Sequence, residues 1–284
     1  MTTLRITENR YAALEALSRF YFLTPSQFLR LGVTSDRSNL SKRVLSPLLK
    51  AQQPLVQFNQ VGPSKVYALT KQGAAWMTEQ LLVERVPYPQ RIRYERDFEH
   101  RTACIDFLIE LWEWCSRTET EIEFVRPYYR FIPVKGPRDT FRALTRHELP
   151  RGFLVSDLEF RLRSSDGNRY LFAFELHRTE RAVGEVYDEL CRHITAIKNG
   201  VLARDYRQTE PNEVLSVYTH ASVMKSTMKR LSSNVDFRNH EHLFHFADLN
   251  SLQKDFSMGW LSSSGSKPSY FENVESNHRS QLRL

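Results

Sequence analysis

Two neighbouring stretches of strand-like sequence constrain the fold of this chain most. Residues Phe153–Arg163 and Arg169–His177 have the composition of strands, and the segment 164–168 between them is rich in turn-forming residues. Side chains in a strand alternate between two faces. One face of the second stretch is apolar and aromatic: Tyr170, Phe172, Phe174 and Leu176. The pattern predicts a β-hairpin with this face on a hydrophobic core.

The other face of the hairpin carries Asp157, Glu175 and His177. Two carboxylates and an imidazole from adjacent strands offer oxygen and nitrogen ligands to one divalent cation. Magnesium or manganese held there would neutralise phosphodiester charge and supply a nucleophile near neutral pH. His177, with an ordinary pKa of about 6.5, is a candidate manganese ligand or general base. The pattern predicts Asp157, Glu175 and His177 as metal ligands and catalytic residues.

The same face has a second interpretation, and the turn decides between the two. Glu159 shares a side with Asp157, so the acids also fit solvated cross-strand pairs on an exposed sheet face. A two-residue turn at Asp166-Gly167 would set Asp157 opposite Leu176, on the wrong face. A three-residue loop would set it opposite His177, as the metal interpretation requires.

Positive charge is concentrated near the amino terminus. Residues 1–75 contain ten basic and three acidic residues, a local net charge of +7, which equals the net charge of the whole chain. The remaining 30 basic and 30 acidic residues balance. Such a distribution is typical of a compact module that binds a polyanion.

The amino-terminal sequence predicts a helix-turn-helix. Apolar spacing over Glu8–Tyr21 predicts a first helix, and Thr24 with Gln27 forms a capping box at the start of a second. A basic third helix follows towards Lys50, although Pro47 is expected to kink it or to end it near the preceding serine.

A predicted hairpin makes the pattern that of a winged helix. Strands are expected at Leu55–Asn59 and Lys65–Leu69, followed by the run Tyr67-Ala68-Leu69-Thr70-Lys71-Gln72-Gly73, in which threonine caps a helix. The alternative is a winged helix used for dimerisation, with a basic helix that is merely solvated. In the first interpretation, double-stranded DNA is bound by Arg37, Ser38, Asn39, Lys42 and Arg43, with Lys65 on the wing.

Helices and strands alternate beyond residue 97, which predicts an α/β sandwich around a mixed sheet, α+β overall. The expected organisation is a winged-helix DNA-binding domain at 1–86, a linker at 87–97, the α/β domain at 98–258 and a disordered tail at 259–284. No apolar run is long enough for a membrane span and no signal peptide is apparent. Three separated cysteines suggest neither a disulfide framework nor a zinc site. We therefore expect a cytoplasmic protein with no membrane partner.

The order of these parts resembles the replication-relaxation family, which includes the MobC-type plasmid relaxases. The resemblance is carried by the winged-helix pattern, the pair Glu99-His100 at a helix start, the pair Ser156-Asp157 in a strand and the segment from Phe174 to Thr179. It implies a winged helix joined to a restriction-type nuclease domain of the PD-(D/E)XK class. Such proteins nick one strand of plasmid DNA at a transfer origin with a divalent metal, Mg²⁺ or Mn²⁺, alongside other mobilisation or replication proteins.

Transferred residue by residue, the resemblance makes Asp157 the metal-binding aspartate and Glu175 the first acid of the E-x-(D/E/K) element. His177 stands at the third position, where the family usually has an acid and the wider nuclease class a lysine. Ser156 replaces the usual proline. These motifs favour a metal-dependent DNA-nicking relaxase. The alternative is a non-catalytic plasmid replication or transcription regulator that keeps a degenerate nuclease fold.

Overall fold

The computed structural model describes residues 4–89, 97–134, 140–178, 182–263, 270–271 and 274. The chain forms two compact units, Met1–Ile109 and Glu110–Leu284. The division falls inside one long helix, Phe98–Arg117, and not in the linker expected at 87–97. Residues 90–96 of that linker lie outside the described residues.

Short helices open the first unit: α1 (Glu8–Phe20), α2 (Pro25–Arg30), α3 (Arg37–Asn39), a π-helical turn (Leu40–Leu45) and α4 (Ser46–Lys50). The capping box predicted at the start of α2 is confirmed. The hydroxyl of Thr24 accepts from the Gln27 N–H at 3.4 Å, and the Gln27 side chain accepts from the Thr24 N–H at 2.9 Å. Residues 37–50 form one basic helical run.

Pro47 does not end this helical run, which continues to Lys50 after a π turn. A proline lacks the N–H that would bind the carbonyl four residues earlier, here that of Arg43. That carbonyl accepts a hydrogen bond from Nε of Arg10 at 3.0 Å instead. A side chain of α1 thus satisfies the group that the proline leaves open.

A hairpin of β1 (Val56–Val61) and β2 (Ser64–Leu69) precedes α5 (Lys71–Leu81). Thr70 caps α5, as predicted, by accepting a hydrogen bond from the Gly73 N–H at 3.0 Å. Position 73 requires glycine for a steric reason, because a Cβ there would lie 2.0 Å from the carbonyl oxygen of Leu55. The close approach joins the start of the hairpin to the start of α5.

After α6 (Phe98–Arg117), the second unit contains nine described strands: β3 (Glu121–Pro127), β4 (Phe131–Val134), β5 (Thr140–Ala143), β6 (Arg146–Glu148), β7 (Phe153–Val155), β8 (Leu158–Arg163), β9 (Arg169–His177), β10 (Glu213–Tyr218) and β11 (Phe244–Asp248). Five form a sheet in the order β11-β10-β9-β8-β3. The pairs β3–β8 and β8–β9 are antiparallel, whereas β9–β10 and β10–β11 are parallel. This confirms the predicted α/β class with a mixed sheet.

Helices connect the parallel strands, since such strands need crossover connections. Between β9 and β10 lie α7 (Val183–Lys198) and α8 (Val201–Asp205). Between β10 and β11 lie α9 (Ala221–Leu231), α10 (Val235–Arg238) and a 3-10 turn (Glu241–Leu243), and α11 (Leu249–Lys254) follows β11. The hairpins β4–β5 and β6–β7 are inserted between β3 and β8.

Both faces of the sheet are buried. One face packs on an aromatic cluster in which the ring centroids of Trp114 and Phe271 lie 4.9 Å apart, and those of Phe172 and Phe271 lie 5.7 Å apart. The prediction of a disordered tail from 259 is therefore wrong for Trp260 and Phe271, which pack because large rings bury much apolar area. Tail residues 264–269, 272–273 and 275–284 lie outside the described residues. The other face is covered by α7.

Candidate functional site

Asp157 lies where the chain passes from one sheet to another. The predicted strand Phe153–Arg163 is interrupted at Ser156 and Asp157, because β7 pairs with β6 whereas β8 joins the central sheet. The Ser156 carbonyl accepts from Oγ1 of Thr145 at 2.6 Å, and the Asp157 carbonyl accepts from the Tyr128 N–H at 2.9 Å. These bonds hold Asp157, half-buried, at the start of β8.

The β8–β9 register differs from the registers that the two predicted turns would produce. Its ladder runs from Leu158↔Phe174 to Arg163↔Arg169. Asp157 comes directly before the first pair of this ladder, and Glu175 comes directly after the partner strand's residue of that pair. Oδ2 of Asp157 accepts a hydrogen bond from the Leu176 N–H at 2.9 Å. The Ser164 N–H donates to the Asn168 carbonyl at 3.0 Å, so the turn consists of residues 165–167 and lies one residue nearer the amino terminus than the predicted three-residue loop. This shift places the two acids at the same end of the β8–β9 pair.

Glu175 forms a buried pair with His193 of α7. Nε2 of His193 lies 2.6 Å from Oε1 of Glu175, and both side chains are at most 2% exposed. Burial, followed by the charge of His177, lowers the pKa of His193 to about 3. The imidazole is therefore neutral at pH 7 and donates its Nε2–H to the carboxylate. Its Nδ1 has no hydrogen-bond partner among the described residues.

His177 is part of a separate chain of hydrogen bonds. Its Nε2 lies 2.9 Å from Oγ of Ser216, and Ser216 donates to the Tyr218 hydroxyl at 2.9 Å. Its Nδ1 lies 3.6 Å from Oε2 of Glu189 on α7. Burial raises the pKa of Tyr218, so this hydroxyl stays protonated. The contacts anchor His177 between β10 and α7.

Sequence reasoning missed two members of this site, Glu189 and His193. Both lie four residues apart on the buried face of α7, beside Val186, Leu190 and Ile197. That spacing was the available signal, because polar residues in the apolar stripe of a helix must face partners on the sheet.

Two of the three predicted ligands have side chains that suit a hard divalent cation. Asp157 and Glu175 supply two carboxylates at the same end of the β8–β9 pair, and carboxylate oxygens suit Mg²⁺ and Mn²⁺. The hydrogen bond from His193 is of the kind that orients a ligating carboxylate. His177 contacts Ser216 and does not complete the set.

A second polar group, the His147 cluster, lies on the same face of the sheet and comprises His147, Glu159, Asp205 and Tyr206. His147 Nε2 lies 2.9 Å from Oε1 of Glu159, and its Nδ1 lies 2.7 Å from Oδ2 of Asp205. The hydroxyl of Tyr206 also donates to Glu159. Glu159 is fully buried at 0% exposure. The interpretation of this acid as part of a solvated cross-strand pair is therefore wrong.

The first unit exposes most of its predicted DNA-binding residues. Those exposed are Arg37, Ser38, Lys42, Arg43 and Lys65. Asn39 is half-buried and donates to Oγ1 of Thr34 at 3.0 Å, so it stabilises the turn before α3. Nζ of Lys65 lies 5.2 Å from the ring centroid of Phe58, itself 47% exposed on β1. The basic run and the hairpin thus present cations to solvent.

Comparisons with protein-family models, curated proteins and solved structures found no match to this chain. The family resemblance therefore remains a prediction from the motifs. Within the described ranges, no helix is both long and apolar enough to cross a membrane.

Proposed function

We propose that this chain binds double-stranded DNA and nicks one strand with a divalent metal held by Asp157 and Glu175. The proposal retains the expected role of a plasmid relaxase of the replication-relaxation family acting at a transfer origin. One observation carries it: Asp157 accepts a hydrogen bond from the Leu176 N–H at 2.9 Å, directly beside Glu175, which His193 binds at 2.6 Å.

Both units support the proposal. The helices and hairpin of the first unit agree with a winged helix, and its exposed Arg37, Lys42, Arg43 and Lys65 have the charge to bind phosphates. In the second unit, a mixed sheet covered by α7 agrees with a restriction-type nuclease domain. We assign recognition to the first unit and cleavage to the second.

Each residue of the site has a separate role in this proposal. Mg²⁺ or Mn²⁺, when bound by the two carboxylates, would neutralise phosphate charge and lower the pKa of a water molecule. The Leu176 N–H orients Asp157, and His193 orients Glu175 without adding positive charge. His177 acts as a positioning residue, because its contact with Ser216 holds the end of β9 two residues beyond Glu175.

A second candidate function is supported by the burial of the site. Glu175 and His177 are 1% and 2% exposed. Carboxylates that reach DNA are normally more accessible, so this burial favours a non-catalytic regulator of plasmid replication or transcription. In that function the Glu175–His193 pair would only stabilise the sheet.

A nicking assay separates the two candidates. A binding sequence is first selected by the native chain from random duplex DNA and is placed in a supercoiled plasmid. With Mg²⁺ or Mn²⁺, we expect relaxed circles from the native chain and at least about 100-fold slower nicking from Asp157→Asn and Glu175→Gln, because each loses a charged ligand. Glu210→Gln, at an exposed acid of the same unit, is the matched control. Tight binding without nicking under either metal would contradict the relaxase proposal and support the regulator.

A salt titration tests the DNA-binding surface independently of catalysis. Replacing both Lys42 and Arg43 with alanine should lower the slope of log affinity against log salt by about 2, one for each lost phosphate contact. Lys71→Ala, an exposed lysine outside the basic run, should leave it unchanged. An unaltered slope in the double variant would instead support a solvated helix used for dimerisation.

A further inference from the structure

The hairpin β4–β5 carries exposed aromatic rings that the proposed cleavage site does not use. Phe131 is 52% exposed and Phe141 is 63% exposed. The register pairs Phe131 with Ala143 and Pro133 with Phe141, so both rings lie on one side of the hairpin. We call these two rings the aromatic hairpin face.

The positions of Phe131 and Phe141 in the ladder leave room for an inserted planar group. They occupy diagonal positions of the ladder, which places such residues about 7–8 Å apart. Stacked bases repeat at about 3.4 Å, so one base between two rings needs about 7 Å. The backbone positions of Phe131 and Phe141 are therefore far enough apart to admit one base between their side chains.

The insertion that contains this hairpin is basic. Its described segments, 128–134 and 140–155, contain four arginines against the single acid Glu148: Arg130, Arg142, Arg146 and Arg151. The Arg146 guanidinium lies 3.8 Å from the ring centroid of Phe153, which is 45% exposed. Aromatic rings interleaved with arginines provide both stacking and attraction for phosphate.

The insertion begins and ends beside the proposed cleavage site. It leaves the sheet after Pro127 and returns at Asp157. The Tyr128 N–H donates to the carbonyl of Asp157 at 2.9 Å and closes its base. The hairpins are therefore anchored at Asp157, the proposed metal ligand, so a strand bound by them would lie on an insertion whose two ends meet at that residue.

We propose that the aromatic hairpin face binds unpaired bases of single-stranded DNA. In a duplex the base faces are stacked on each other, so only an unpaired strand presents them to Phe131 and Phe141. The net positive charge of the insertion selects a polyanion over an apolar protein surface. The inference rests on the proposed function only for the choice of DNA as the polymer.

Fluorescence anisotropy with the full chain and a labelled oligodeoxythymidine tests this inference. Phe131→Ala and Phe141→Ala should each weaken binding about tenfold, as expected for the loss of one stacked base, and should leave the affinity for a duplex of equal length unchanged. Met258→Ala removes an apolar side chain of similar exposure (59%) elsewhere in the same unit and should have no effect. Thermal unfolding of each variant verifies that it folds.

Three results would overturn the inference. The first is unchanged oligodeoxythymidine affinity in both phenylalanine variants. The second is loss of self-association in sedimentation velocity with oligonucleotide affinity retained, which would make the face a protein interface. The third is binding of oligouridine in strong preference to oligodeoxythymidine. None depends on metal or nicking, so the failure of the proposed function would be recognised separately.

Discussion

Two buried histidine–glutamate pairs in the second unit have opposite electrostatics. His193 lies 2.6 Å from Glu175, and His147 lies 2.9 Å from Glu159. The pKa of His193 is lowered to about 3, mainly by burial. Burial also opposes the charge on His147, yet the hydrogen bond and charge of Glu159, joined by those of Asp205, raise its pKa above the ordinary value. Contact with one buried carboxylate therefore does not determine the charge of a histidine.

The second ring nitrogen accounts for the difference. Nδ1 of His147 lies 2.7 Å from Asp205, whereas Nδ1 of His193 has no hydrogen-bond partner among the described residues. Ionised carboxylates only accept hydrogen bonds, so a ring held between two of them must carry a proton on both nitrogens. His147 is thus a cation that links two acids, and His193 is a neutral donor to one.

The largest expected effect is at the carboxylate of the charged pair. Glu159→Ala should lower the free energy of unfolding by about 3–5 kcal/mol, because it leaves the buried His147 without one of its two acids. Urea denaturation at pH 6 measures the loss. Glu159→Gln, which can still accept from Tyr206, should cost less. A loss below about 1 kcal/mol for the alanine variant would show that the pair is not a buried ion pair.

Replacing each histidine with glutamine separates the charged pair from the neutral one. The pKa of His147 is higher in the folded chain than in the unfolded chain, where it is about 6.5. The stabilisation by His147 is therefore fully present below about pH 6.5, and it is lost as the pH rises through the pKa of the folded state. The cost of His147→Gln should therefore be about 2 kcal/mol near pH 6 and decrease at alkaline pH. His193→Gln should cost about 1 kcal/mol without such a trend, since His193 is already neutral there. Parallel pH profiles of unfolding free energy would contradict the assignment.

The smallest effect is expected at Asp205, whose side chain is 38% exposed and therefore screened by solvent. Asp205→Asn leaves His147 with one carboxylate, as in the His193 pair. The loss of stability should remain below about 1 kcal/mol. The pKa of His147 should fall, as measured by NMR titration of the ring protons. An unchanged pKa would mean that Glu159 alone keeps His147 charged.

Local signals predicted much of the fold. The threonines at 24 and 70 cap helices where expected, and the predicted strand Arg169–His177 is β9. These features depend on residues close in sequence, so their patterns are visible without the fold. The helix through Pro47 was not predictable, because the carbonyl that the proline leaves open is satisfied by Arg10 from another helix.

The candidate site was predicted only in part, for the same reason. Asp157 and Glu175 were identified from strand alternation and resemblance. His193, the partner of Glu175, comes from a helix whose packing on the sheet no local pattern specifies. The burial of Glu159 was missed because its partners are brought to it only by the fold: Tyr206 is 47 residues away, and His147 returns to Glu159 through the β6–β7 hairpin.

The sequence by itself determined the periodicities, the helix caps, the basic amino-terminal segment and the choice of acids on the central strands, since these are properties of neighbouring residues. Only the tertiary structure decided that Asp157 binds the backbone beside Glu175, that both sheet faces are buried and that one histidine is neutral while the other is charged. Register and protonation depend on groups brought together from distant parts of the chain, and in a buried site these groups replace water as the solvent of each charge.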